Sequence, residues 1–277
     1  MRPMSPESQD EPRRRFRADR LHEAPAADRP LAFREVYDEI LRRILAERPL
    51  DARALRLGAN DKIAQFVRAT AGGGLSVLEV GCGFGATALH VGRGQREMVG
   101  VDAAPAGIDA ARRLGAGRPE LRFEVMDATR LEFPDGHFDL VYSIDLIEHL
   151  HPDDVGRHLR EARRVLRPGG CLIVKTPSEL TGPHEGEDPG DQGFLHFREY
   201  RYGTLLPLLR EAGFRRLSTP ALSMRLACRL PGPSWFPASA NLMPERIALL
   251  APYRSRASRF LARLLGVKQV VIVARRD

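Results

Sequence analysis

The sequence predicts an α/β fold: a doubly wound, parallel sheet with helices packed on both faces. Three observations carry this. From residue 76 onward, short apolar runs alternate with stretches of helical period. Two of the runs, Met98–Val101 and Leu121–Met126, end in an aspartate. Another, Ser76–Val80, passes through a tight cluster of glycines straight into a helical pattern.

Taken in order, residues 1–30 are rich in Pro, Arg, Asp and Glu and show no hydrophobic period. Arg13, Arg14 and Arg15 are followed by Asp19, Glu23 and Asp28, so the segment is mixed in sign and is expected to be a disordered tail. The domain proper is expected over 31–277. It opens with N-terminal helices within 31–71. Leu31, Phe33, Val36, Tyr37, Ile40, Leu41, Ile44 and Leu45 recur at helical spacing, and Ile63, Phe66 and Val67 mark a second helix. Gly72–Gly74 release the chain into the first strand, Ser76–Val80.

Gly81, Cys82, Gly83, Phe84 and Gly85 follow, and helical spacing resumes at Ala88, Leu89 and Val91. Glycines there let the backbone take conformations closed to side chains and let a ligand lie against the main chain. The second strand, Met98–Val101, ends in Asp102, a carboxylate suited to accept from the two vicinal hydroxyls of a ribose. A helix over about 105–114 leads to the third strand, Leu121–Met126, which ends in Asp127. After the turn Phe133-Pro-Asp-Gly-His137 comes the fourth strand, Phe138–Ser143. A short helical piece, Leu146–Leu150, precedes a longer helix over about 152–166, with Asp153 and Asp154 in its first turn. Arg167-Pro-Gly-Gly170 stops it, and Cys171–Thr176 is the fifth strand. Pro177–Phe197 is a loop long enough to be functional. A helix over about 199–212 and strands Phe214–Ser218 and Gln269–Ala274 bring the strand count to seven. A helical insertion is expected over about 220–266.

At 277 residues, 43% of them hydrophobic and 29% charged, the composition is that of an ordinary globular chain. No apolar run is long enough to cross a bilayer and no secretory leader is seen. A cytoplasmic location, without stable membrane insertion, is therefore expected. Cys82, Cys171 and Cys228 show no metal-ligand spacing and read as reduced core residues. The net charge of +7 comes mostly from scattered arginines without interleaved aromatics, so a solvated surface is expected and nucleic-acid binding is not. Oligomeric state is not legible.

Gly81, Gly83 and Ala86, with Asp102 downstream, also satisfy the dinucleotide pattern G-x-G-x-x-[GA]. Four segments taken together favour a different cofactor. They are Glu79-Val-Gly-Cys-Gly-Phe-Gly, Gly100-Val-Asp102, Met126-Asp127-Ala128 before Leu131-Glu-Phe-Pro-Asp-Gly-His-Phe-Asp-Leu-Val, and Leu166-Arg-Pro-Gly-Gly-Cys-Leu-Ile-Val. In this order they resemble the class I S-adenosylmethionine-dependent methyltransferases, in particular the small-molecule branch that includes the ubiquinone and menaquinone biosynthetic enzymes. The resemblance covers about 76–218 and the last strand. A carboxylate at Glu79 would repel a pyrophosphate but suits a cofactor that carries an ammonium and a sulfonium.

The resemblance implies a Rossmann-like, seven-stranded, mostly parallel sheet with its last strand antiparallel. It implies a transferase moving the methyl group of S-adenosyl-L-methionine to a small-molecule acceptor in biosynthesis. Gly81, Cys82, Gly83 and Gly85 would lie along the methionine part, with Glu79 orienting that loop and the cofactor's ammonium, directly or through water. Asp102 would take the ribose hydroxyls and Ala103 would border the adenine. Asp127 would accept from the adenine amino group, Ala128 would donate its N–H to the ring, and Ser143 would sit beside the methionine end. Other readings remain: an RNA or protein methyltransferase, or a noncatalytic cofactor-binding protein.

Such a transfer needs a base only when the acceptor is a protonated group such as a hydroxyl. His149, close behind the fourth strand, and His196, at the end of the long loop, are the candidates, and they favour an oxygen acceptor. Asp145, Glu148 and His149 form a D-x-x-E-H group similar to a metal-binding cluster of some relatives. The group lacks a nearby further ligand, so no metal is expected. Arg254, Arg256, Arg259 and Arg263 line one side of a helical pattern in the insertion, and Trp235 stands alone among prolines.

Overall fold

A computed structural model describes residues 20–21, 23–47, 62–180, 196–220, 235–237 and 269–277. The elements are α1 (Arg29–Glu47), α2 (Lys62–Ala71), β1 (Ser76–Val80), α3 (Ala86–Val91), β2 (Glu97–Asp102), α4 (Pro105–Leu114) and β3 (Leu121–Val125). They continue with β4 (Phe138–Ile144), a 3-10 turn (Ile147–His149), α5 (Pro152–Val165), β5 (Leu166–Pro177), α6 (Tyr202–Glu211), β6 (Arg216–Pro220), β7 (Trp235–Pro237) and β8 (Gln269–Arg275).

The sheet runs β3-β2-β1-β4-β5-β8-β6-β7. Pairings from β3 to β5 are parallel, and β8 enters antiparallel between β5 and β6. The seven expected strands are present. An eighth, the three-residue β7, extends the edge inside the segment expected to be a helical insertion. Trp235 belongs to this strand, while the arginine-bearing helix of the insertion and Cys228 lie outside the described residues.

Strand period places the two cores. On β1, Val77 faces the layer of α2, α3 and α4, and Leu78 and Val80 face that of α5 and α6. With both faces covered, all five β1 residues are buried, which is why the run is apolar apart from Ser76 and Glu79. The Pro-Gly-Gly segment expected to separate α5 from the fifth strand is instead part of β5. Phe138 pairs with Leu166 and Leu140 with Cys171, so the extra residues form a bulge with Gly169 at φ 77°.

The N-terminal segment departs from expectation too. Leu21, placed by composition in a disordered tail, is buried against Val36 and Ile40 of α1, so a single apolar side chain anchors the stretch before the helix. Residues 1–19 and most of the long loop, 181–195, lie outside the described residues. Cys82 and Cys171 are buried, free thiols. Among the described residues no helix is long and apolar enough to cross a membrane.

Candidate active site

In this topology the strand order reverses between β1 and β4, and the connections leaving their carboxyl ends diverge to opposite faces, opening a crevice. The β1–α3 loop forms its floor. The Gly81 and Cys82 N–H groups both donate to the Val101 carbonyl, at 2.8 and 3.0 Å, and Gly85 N–H donates to the Cys82 carbonyl at 2.8 Å. Gly83 N–H donates to Oδ2 of Asp102 at 2.9 Å, while Oδ1 of Asp102 accepts from Ala104 N–H at 2.9 Å. One carboxylate thus ties the glycine loop to the start of α4. Burial raises the Asp102 pKa, and the bonds from Ala104 and Gly83 oppose that rise.

The glycines differ in purpose. A Cβ on Gly83 would meet nothing within 4 Å, whereas one on Gly85 would lie 2.8 Å from the Phe123 ring and 2.9 Å from Ala111 Cβ. Gly83 is open toward the crevice, and Gly85 is closed against the layer beneath.

Glu79 points into that same layer. It is buried, accepts from the Tyr142 hydroxyl at 3.1 Å and from Ala88 N–H, and so caps the first turn of α3 from behind. Burial pushes its pKa up to about 8, against the lowering effect of those bonds. A carboxyl raised from 4.5 stabilises the fold fully below pH 4.5 and loses that contribution as pH rises to about 8. Glu79→Gln is therefore expected to flatten stability across that window, where the parent loses up to about 1.4 kcal/mol per pH unit from this group. Denaturant melts of both proteins at pH 5, 6.5 and 8 check this; equal slopes would mean that Glu79 is ionised in the fold.

The crevice is a cavity of about 1100 Å³. Gly81, Gly83, Asp102, Ala103, Asp127, Ala128 and His149 line it, and α1 roofs it with Phe33, Tyr37 and Leu41. Asp127 accepts from the Thr129 N–H at 2.8 Å and from the Thr129 hydroxyl at 2.9 Å, so it shapes its own turn as well as facing the cavity. Glu79, Cys82, Gly85, Ser143 and His196 do not line it. Cys82 packs below the loop, and the buried Ser143 hydroxyl has no partner among the described residues.

At the end of β4, Asp145 holds φ 50°, the one positive value among the described non-glycine residues. Its N–H donates to the Lys175 carbonyl at 2.9 Å, and Lys175 Nζ reaches its two oxygens at 2.6 and 2.5 Å. This turn starts the 3-10 helix that carries Glu148 inward and His149 toward the cavity. Thr176 donates to Glu148 Oε2 at 2.9 Å, and Oε1 is buried without a hydrogen-bond partner among the described residues. Burial and then the nearby Asp145 charge push Glu148 up to about 7.

The Glu148 carbonyl accepts from Phe197 N–H at 2.9 Å, which fastens the end of the long loop here and sets the His196 ring edge-on to His149 at 4.6 Å. Glu148, His149 and His196 place one ligand atom each within 4.8 Å of one another, a spacing that could hold a divalent cation. Asp145 of the D-x-x-E-H group is turned to Lys175 instead. Sequence reading missed the structural place of Glu148 and of the α1 residues. Tyr37 shares its helical period with Val36 and Ile40, so spacing alone marks it as core.

A family model described as a methyltransferase domain matches residues 77–170. The chain is 36% identical over 121 residues to ajmaline N-methyltransferase of Rauvolfia serpentina, covering 42% of this chain and 39% of that protein. It is 36% identical over 105 residues to ubiquinone biosynthesis O-methyltransferase of Azorhizobium caulinodans, covering 37% and 40%. It thus spans about two fifths of the length of these relatives. Among solved structures, the [4+2]-cyclase SpnF aligns with a TM-score of 0.55 at 22% identity, over 90% of this chain and 97% of that one, a likeness of fold alone. The stretch from residue 77 to 170 is thus similar to a methyltransferase domain, the part of the chain that holds the glycine loop, Asp102 and Asp127.

Proposed function

We propose that this chain transfers the methyl group of S-adenosylmethionine to a small-molecule acceptor, at oxygen. The observation that carries the cofactor reading is the Asp102 carboxylate at the carboxyl end of β2, fixed by Gly83 and Ala104 and facing a cavity that also exposes Asp127 and the open side of Gly83. A pyrophosphate would find the N–H groups of Gly81, Cys82, Gly83 and Gly85 engaged and Glu79 behind the helix.

When bound, the cofactor supplies a methyl already activated on sulfur, so the protein mainly positions. Asp102 accepts from the ribose hydroxyls with the lone pairs that Gly83 and Ala104 leave. Asp127 accepts from the adenine amino group and Ala128 N–H donates to the ring. The backbone of Gly81 and Gly83 would lie under the amino-acid tail, with Cys82, Gly85 and Glu79 holding the loop from below. The cavity exceeds the roughly 300–1,000 Å³ of an ordinary small-molecule site, which leaves room for an acceptor beside His149.

His149 takes the acceptor hydroxyl proton, with His196 and Glu148 packed beside it. The oxygen choice rests on this cluster; of the two relatives named above, one acts at nitrogen and one at oxygen by name. His149→Ala is expected to lower kcat about 10²–10³-fold with S-adenosylhomocysteine affinity within about twofold. A fully active variant removes it as the base. Loss of activity on chelation, restored by a divalent cation, would move its role to metal binding. A noncatalytic cofactor-binding protein is the second reading, and turnover of labelled cofactor with any acceptor in a panel would exclude it.

A further inference from the structure

The roof of the cavity holds a hydroxyl that none of the described residues engages. Tyr37 lies on α1, its ring stacked on Phe33 at 5.9 Å and edge-on to His149 at 5.8 Å. Its oxygen is buried and meets no hydrogen-bond partner among the described residues. Burial, and then the negative charges of Glu148 and Asp102, push its pKa well above the usual phenol range, so the group stays a proton donor.

The residue is held there deliberately by the surrounding bonds. One residue on, Asp38 Oδ1 accepts from Ala106 N–H at 2.6 Å and pins α1 to the start of α4. At the other end Arg29 reaches Asp153 and Asp154 of α5, each at 3.2 Å. A buried hydroxyl left unpaired costs about 1–3 kcal/mol, which a ligand oxygen would remove.

The floor opposite has few donors to give. The N–H groups of Gly81 and Cys82 go to Val101, that of Gly83 to Asp102, that of Gly85 to Cys82 and that of Ala88 to Glu79. A carboxylate lying over this loop finds those five N–H groups taken, and the Tyr37 hydroxyl on the roof is a further donor to it. We infer that Tyr37 donates a hydrogen bond to the α-carboxylate on the amino-acid tail of the bound cofactor, which makes α1 part of cofactor recognition. This rests on the S-adenosylmethionine reading above.

The test compares the parent and Tyr37→Phe by calorimetry with two probes. S-Adenosylhomocysteine carries the amino-acid tail; 5′-methylthioadenosine has the same base, sugar and sulfur without it. The variant should bind the first about 5–30-fold more weakly and the second within about twofold. Its ligand-free Tm should not fall, since no protein partner is lost. Unchanged affinity for S-adenosylhomocysteine, an equal loss for both probes, or a lowered ligand-free Tm would each overturn the inference. A parent protein that binds neither probe would instead overturn the cofactor reading on which it rests.

Discussion

Asp102→Ala is expected to weaken S-adenosylhomocysteine binding about 10³-fold while the protein stays folded. Two bonds from the ribose to a carboxylate are lost, each worth about 1.5–3 kcal/mol, and the Gly83 and Ala104 N–H groups lose the acceptor that fixes the loop. The fold should tolerate the change because burial already disfavours this charge, as its raised pKa reports. Asp102→Asn is a sharper probe. Its amide NH₂ must face one of two backbone donors, so it too should bind weakly despite its shape. Calorimetry on circular-dichroism-checked protein decides; either variant binding like the parent would remove Asp102 from the ribose site.

The glycine loop should split into two opposite phenotypes. Gly85→Ala places a Cβ at φ +76° and within 3 Å of Phe123 and Ala111, combining left-handed strain with overpacking. About 3 kcal/mol of stability and roughly 6–12 °C of Tm should go. Gly83→Ala, at φ +51° with open space around its Cβ, should cost only about 1 kcal/mol. Its methyl stands where the ligand approaches, so cofactor affinity should suffer far more than Tm. Thermal melts and calorimetry on the pair read both effects. If Gly83→Ala binds normally, the cofactor does not lie against that backbone.

Much of this was legible in the chain. The run from Ser76 to Val80, the glycines after it and Asp102 at the end of the next run are local signals, because period, turn chemistry and strand ends are decided within a few residues. Asp127 and Ala128 were legible for the same reason. Glu79 was legible as part of the loop but not as its rear support. Which way a strand residue points is set by register, and Glu79 shares the face of Val77 opposite Tyr142. Pro168–Gly170 has the chemistry of a stop in the sequence and folds as a bulge, since proline and glycine look alike at a break and at a bulge.

The sequence by itself pointed to the cofactor class and to the strand-end carboxylate proposed to hold it, because those residues are neighbours in the chain. Only the tertiary structure decided that α1 closes the cavity with Tyr37 and that Glu148 and His149 meet His196. Those encounters join segments far apart in sequence, brought together by a carboxylate capping a distant helix at Ala106 and a carbonyl accepting from Phe197. Such long-range bonds leave no period or spacing in the chain to be read beforehand.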